Sequence, residues 1–379
     1  MTSPERETVP ASDVGATPGP TTTTTHQTFL RQKTFGALDG LRALSILAVL
    51  WHHTYEVPTG WRATGRGFLG VDLFFVISGF LIVTLLLRER DRRGAISLKG
   101  FYIRRLLRIF PVYYGLLFAL SLLFLTVGKN ANMRAGFFDD LPWALTYTSN
   151  WAGLSTFLAI TWSLSAEEQF YVFWPPLERF AKGAAVPLLW GLLILSQVIH
   201  FGLIDGWMAS LGFTPHQPEF LRQTGFTPIM LGVLLAHGLH DPRWHARLAG
   251  LLHLRGTAVV ALFVIVFICT VAPPDLTGWP RFSLHLAMTV LVGASVIRED
   301  HLLQPMLRLP PLVRIGMLSY GMYLLHMLCR HGCKTVLTKL GLVQDFWLFP
   351  ATLVVTVVVA QASFQFYEQR FLKLKDRFS

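Results

Sequence analysis

Apolar residues in this chain come in long runs separated by short polar stretches, rather than in the alternation of a half-buried strand or the single stripe of a surface helix. Runs long enough to cross a bilayer, which takes about 20 mostly apolar residues, fall at about 38–55, 67–87, 107–127, 162–180, 185–204, 224–240, 254–272, 282–297, 312–334 and 347–367. The pattern predicts an all-α polytopic membrane bundle of about ten transmembrane helices. The stretch 141–160, with Trp143, Tyr147 and Trp151, is apolar but interrupted by polar residues. It reads as an interfacial or re-entrant segment, because an eleventh span would invert everything after it. Residues 1–34 are rich in Thr, Pro and Ser and hold no apolar core of a signal peptide, so they read as a disordered cytoplasmic tail. Residues 35–370 then form the membrane domain, and 371–379 a basic cytoplasmic tail.

Composition agrees with this reading. Hydrophobic residues make up 52% of the chain and charged residues 15%, against about 25% charged in soluble domains. A net charge of +11 would suggest nucleic acid on a soluble fold with a basic face, but here the Lys and Arg lie between apolar runs, and no nucleic-acid partner is expected. The positive-inside rule accounts for them better. Arg88, Arg90, Arg92, Arg93, Arg104, Arg105 and Arg108 fall in inward stretches, whereas outward ones keep few cations, among them Arg62, Arg66 and Arg281. The expectation is a multi-pass plasma-membrane protein with both termini cytoplasmic, its stretch 88–108 an inner loop. Cys269, Cys329 and Cys333 read as core thiols, and the group around His331 lacks a second ligand pair, so no metal is expected. His237, His240, His245 and His253 read as solvated loop histidines.

Ionisable groups inside spans are costly and therefore mark candidate sites. Arg42 opens the first span and His52-His53 closes it; eleven helical steps set His53 roughly 16 Å beyond Arg42. Read structurally, Arg42 is an anchor paired with Asp39, and the histidines are a boundary cap. Asp72 starts the next span at about the depth of His53, where it can hold one imidazole nitrogen or simply favour a helix N-terminus. Arg104, Arg105 and Arg108 form a guanidinium cluster suited to nucleotide phosphates or to anionic headgroups. In Ser165-Ala166-Glu167-Glu168-Gln169-Phe170-Tyr171, Ser165 and Glu168 read as a capping box, which leaves Glu167 without a structural role. His326 adds an imidazole in the outer half, and Glu368 lies toward the inner end of the last span.

These stretches together resemble the acyltransferase family 3 membrane proteins, which O-acylate bacterial surface sugars and, in some actinobacterial members, macrolides. The resemblance runs from about residue 35 to 370. Its Arg-x10-His element falls on Arg42 and His53, its Arg-x-x-Arg on Arg105 and Arg108 followed by Phe110-Pro111-Val112, its Gly-Val-Asp-x-Phe-Phe on 70–75, and its Ser-x-Glu-Glu-Gln-Phe-Tyr on 165–171. Tyr367-Glu368-Gln369-Arg370 departs from the Glu-Arg-Pro of many relatives. The resemblance implies acyl-CoA as donor and co-substrate, His53 as the catalytic histidine, and Arg105 and Arg108 near the donor's phosphates; Arg42 joins them as a candidate substrate-binding residue, and no permanently bound cofactor is expected. Larger members carry a fused hydrolase-like domain. Without one, the protein is expected either to acylate its hydroxyl-bearing acceptor unaided or to hand the acyl group to a separate partner protein.

The mechanism expected on this basis has His53, oriented by Asp72 or Glu167, taking the proton of an acceptor hydroxyl that attacks the thioester. An acyl-histidine is the second variant. Acetyl or another short acyl group would pass to a sugar, glycan or macrolide. The alternative reading is a multi-span transporter whose intramembrane His, Glu and Asp form a substrate pathway, and the absence of an internal repeat counts against it.

Overall fold

The computed structural model describes residues 26–32, 34–55, 61–126, 131–154, 157–181, 183–212, 226–274, 276–342 and 344–375. Residues 1–25 and 376–379 of the two predicted tails lie outside them. All regular structure among the described residues is helical. In chain order the helices are α1 (His26–Arg31), α2 (Gly36–Thr54), a 3-10 segment (Arg62–Leu69), α3 (Gly70–Arg93), α4 (Leu98–Thr126), α5 (Ala131–Leu145), α6 (Thr161–Phe180), α7 (Ala185–His200), α8 (Asp205–Ser210), α9 (Thr227–His240), α10 (Pro242–Leu252), α11 (Thr257–Val271), α12 (Trp279–Ile297), α13 (Gln304–Leu307), α14 (Pro310–Lys339), α15 (Gln344–Ser363) and α16 (Gln369–Lys375).

Every one of the ten predicted runs falls on a helix, but the span count is smaller. Five helical stretches are long and apolar enough to cross a membrane, Arg62–Arg93, Leu98–Thr126, Trp279–Ile297, Pro310–Lys339 and Phe346–Leu374. A sixth arises if α10 and α11, bent by 74° at a short break, act as one, while α7 and α9 are apolar but shorter. α2 and α6 fall short for a telling reason: Asp39, Arg42, His52 and His53 on one, and Glu167, Glu168 and Gln169 on the other, dilute their apolar character. Side chains such as Phe118, Ile194, Phe263 and Val358, each more than 60% exposed, form an outward apolar surface that water penalises and lipid accepts.

The centre of the bundle is α3, whose apolar window is 78% buried, against 22% for Phe346–Leu374. Two glycines let α3 and α9 cross in close contact. A Cβ on Gly79 would stand 2.1 Å from the Ile229 carbonyl oxygen, and one on Gly232 2.2 Å from that of Val76. α14 lies parallel to α2, with Gly316 against the Asp39 carbonyl at one end and His326 beside His53 at the other. Two helices thus run together from the arginine end of the molecule to the histidine end.

Local departures from the sequence reading have physical causes. Residues 26–31 are helical rather than part of a disordered tail. Phe29 is fully buried, and Arg88 donates to the carbonyls of Phe29 and, at 2.5 Å, Gln32, satisfying the end of α1. The stretch 88–108 is mostly helix, because α3 runs on to Arg93 and ends at Gly94, whose φ of +73° suits glycine. The segment 141–160 holds the end of α5 and two 3-10 turns, Ser149–Trp151 and Phe157–Ile160. Residues 371–375 of the basic tail belong to α16.

Candidate functional site

Adjacent residues on a helix point about 100° apart, and α4 uses this to separate its arginines. Arg104 turns to α3 and donates to Glu89 Oε2 at 3.2 Å. Arg105 lies over the Tyr171 ring, 4.3 Å from its centroid, and Arg108, one turn from Arg104, is exposed. Among the described residues no carboxylate forms an ion pair with Arg105 or Arg108, whereas Arg42 is held by Asp39 Oδ1 at 3.1 Å, as its spacing predicts. Arg42, Arg105 and Arg108 all line one partly open cavity whose empty space, the solvent-open part included, is about 980 Å³.

That cavity follows α3 from Leu85 to Val71, fourteen residues or about 21 Å. It is lined by Arg42, Arg105 and Arg108, by Glu167 and Ser78, and by Ser163 and Tyr323. Helix α6 explains how one motif serves two purposes. Ser165 and Gln169, four apart, face the preceding segment: Ser165 Oγ pairs with Ser149 Oγ at 2.7 Å, and the Gln169 amide donates to the Tyr147 carbonyl at 2.9 Å and Asn150 Oδ1 at 2.8 Å. Glu167 faces the cavity, where Ser78 donates to its carboxylate, and buried Tyr171, four residues on, donates to it from behind. The predicted capping box is therefore absent. The helix begins at Thr161, so Ser165 lies inside it and is occupied elsewhere.

At the other end of α2, His53 Nδ1 is 3.0 Å from the Val49 carbonyl and 3.3 Å from His326 Nε2. His326 Nδ1 is 2.6 Å from the Tyr323 carbonyl. Carbonyls only accept, so with both rings neutral each Nδ1 carries the hydrogen, and the one His53 Nδ1 hydrogen is shared between the Val49 carbonyl and His326 Nε2. This network leaves His53 Nε2 with its lone pair. His52 points away and donates through Nδ1 to the Gly65 carbonyl at 3.0 Å. Tyr323 joins the two parts: its side chain lines the cavity and bonds Ser163 Oγ at 2.7 Å, while its carbonyl holds His326.

Asp72 is not the partner of His53. Its Oδ2 is 2.8 Å from Arg281 and 3.1 Å from His285, both on α12, and the carboxylate is buried. The sequence reading paired Asp72 with the nearest span in the chain, whereas packing sets it against a helix some two hundred residues away. Glu167 likewise is bound by Ser78 and Tyr171. Sequence reasoning noticed His326 but not its role; its signal was an imidazole one helical turn after a tyrosine in an apolar run. Ser78 and Tyr323 carried no comparable signal, and Arg281 was assigned to an outer loop. The loop reading of His237 also fails: it bonds Glu178 at 2.6 Å on the last turn of α9.

A family model described as an acyltransferase domain matches residues 35–364. The chain is 30% identical over 365 residues to the "Putative O-acetyltransferase" of Staphylococcus aureus strain COL, covering 89% of this chain and 57% of that one. It is 30% identical over 357 residues to the peptidoglycan O-acetyltransferase OatA of Listeria monocytogenes, covering 88% and 55%. The chain therefore spans little more than half the length of these relatives. No solved structure matches.

Proposed function

This chain belongs to the acyltransferase domain family, and we propose that it is an O-acyltransferase carrying an acetyl or other short acyl group from acyl-CoA to a hydroxyl of a sugar, glycan or macrolide-type acceptor. One arrangement supports this reading above all. One cavity is lined both by two guanidiniums that have no ion-pair partner among the described residues and by Tyr323, whose carbonyl accepts from His326, the partner of His53. Guanidiniums left without carboxylates suit phosphate oxygens. A passage of about 21 Å lined by Ser and Tyr hydroxyls and aliphatic side chains suits a long arm that carries amides on an apolar backbone.

In the reaction we assign, His53 Nε2 takes the proton of the acceptor hydroxyl as its oxygen bonds to the thioester carbonyl carbon. The tetrahedral intermediate then expels the thiolate, which leaves as the thiol with the proton returned from His53. The hydrogen bond from Nδ1 to His326 steadies the ring and spreads its transient positive charge. Glu167 and Ser78 form a polar wall for the arm or the acceptor, held in place by the Tyr171 hydroxyl. The apolar exterior and family membership support a membrane protein; the many arginines at one end support a plasma-membrane orientation with both termini, and the guanidinium end, cytoplasmic. The account expects about ten membrane-inserted helices, with α2 and α6 kept inside the bundle by their polar residues.

The test is transfer by the purified chain in lipid nanodiscs, using radiolabelled acetyl-CoA and a panel of hydroxyl acceptors. Acetyl ester formation that tracks intact protein is expected. No transfer and no donor hydrolysis across the panel would return the site to the transporter reading.

A further inference from the structure

A second, open-sided cavity, with about 1360 Å³ of empty space including the part open to solvent, lies at the arginine end. It shares Arg42, Arg108 and Tyr320 with the first. Tyr320 is fixed between them by donating to the Ile109 carbonyl at 3.0 Å, so the exposed guanidinium of Arg108 contributes to both chambers. The rest of the second chamber comes mainly from the C-terminal end of the bundle, where a π-helical turn, Phe364–Glu368, connects α15 to α16. Single π turns widen a helix by one residue and recur at functional sites. Here the turn is held by Ser363 Oγ donating to Glu368 Oε1 at 3.1 Å and by the Tyr367 hydroxyl donating to the Pro111 carbonyl at 3.1 Å.

The two chambers differ in shape and chemistry. The first is a long corridor of hydroxyls and aliphatics. The second is broader and combines cations, Arg108 and Lys373, with an acceptor and an amide, Glu368 and Gln369, and with the apolar side chains of Met317 and Phe364. Coenzyme A divides the same way, into a flexible amide-bearing arm and a bulky adenosine carrying phosphates. Among the described residues Lys373 forms no ion pair and is exposed, while Arg42 is neutralised by Asp39. Set against the carboxylates of Asp39 and Glu368, the cations Arg42, Arg108 and Lys373 leave the lining one net positive charge, carried by Arg108 and Lys373 beside Glu368.

We infer that this second chamber seats the phosphorylated adenosine of the donor, with Lys373 and Arg108 on its phosphates, Glu368 and Gln369 on the hydrogen-bonding edge of the base or the ribose, and Met317 and Phe364 against the flat ring. The inference rests on the proposed acyl-CoA reaction and deepens it by naming what distinguishes a coenzyme A thioester from a shorter one. Lys373 and Met317 become specificity-determining residues for the donor, far from the reacting atoms.

The experiment measures binding of adenosine 3′,5′-bisphosphate to the full chain in nanodiscs, beside KM values for acetyl-CoA and for S-acetyl-pantetheine, which lacks the nucleotide. Lys373→Glu, at an exposed position, and Met317→Trp, which fills the chamber, should each weaken bisphosphate binding about tenfold, the loss of a charge-assisted or packing contact. They should raise KM for acetyl-CoA by a similar factor and so narrow the preference for acetyl-CoA over the truncated donor. Wild-type affinity and preference in both variants would overturn the inference while leaving the reaction intact. The reaction itself is judged separately, by whether the wild-type chain transfers from acetyl-CoA at all.

Discussion

Two charged regions of this molecule look alike in sequence and differ in structure. In the knot of Asp72, Arg281 and His285, the buried carboxylate is held by an arginine and a histidine of another helix. Lining the first cavity, Arg105 and Arg108 form no ion pair with a carboxylate among the described residues; outside that lining, linked to it through Tyr323 and His326, His53 keeps a lone pair on Nε2 once its hydrogen bonds are assigned. A buried charge closed on protein partners holds helices together, and breaking it leaves an uncompensated charge. A charge or lone pair left open beside a cavity is available to a ligand. The same contrast appears within one turn of α4, where Arg104 is closed on Glu89 and Arg105 faces the cavity.

The strongest way to break this contrast is to remove the open imidazole. His53→Ala should lower kcat by about 10²–10⁴, the usual loss for a general base, with a thermal midpoint close to wild type. An active His53→Ala enzyme at equal protein level would place the chemistry elsewhere.

Next in size are the open guanidiniums. Arg105→Ala and Arg108→Ala should each raise KM for acetyl-CoA by about 10-fold or more, with lysine restoring part because it lacks the bidentate fork. Unchanged donor affinity in both would assign them to lipid headgroups. Within the histidine pair, His326→Gln should sharpen the comparison. Its side-chain oxygen can accept from His53 Nδ1, so the loss in kcat should be smaller than for His326→Leu, which should cost about tenfold. The smallest effect belongs to His52→Ala, whose ring is bonded to the Gly65 carbonyl and faces away from His326; kcat within about threefold of wild type is expected for a group that takes no proton, measured on the same preparations.

Much of this was legible from periodicity and spacing. The apolar runs located the helices, and the eleven helical steps from Arg42 to His53 placed them at opposite ends of α2. The cavity joining Arg42, Arg105, Arg108 and Glu167 brings together four of the six predicted site residues. What was not legible is the lateral order of helices. Nothing local to Gly70-Val71-Asp72 shows that Arg281 and His285 will pack against it, and chain proximity pointed to His53 instead. The apolar run from 162 lies one residue from the start of α6 at Thr161, but Ser165 and Glu168 fit a cap pattern, whereas the polar pairing that uses Ser165 comes from the segment read as interfacial or re-entrant. His326 needed α14 to lie parallel to α2, a relation set by close packing at Gly316 rather than by any motif.

The division between closed and open charges is tested most directly by measuring thermal stability and KM for acetyl-CoA side by side on Asp72→Asn and Arg108→Ala in nanodiscs. Asp72→Asn should lose stability by about 3 kcal/mol or more, as expected when one partner of a buried ion pair is removed, with KM of the folded fraction near wild type. Arg108→Ala should keep its midpoint and lose donor affinity. If the two effects fall the other way, or both variants lose donor affinity equally at full stability, the Asp72 knot belongs to the reaction and the division does not hold.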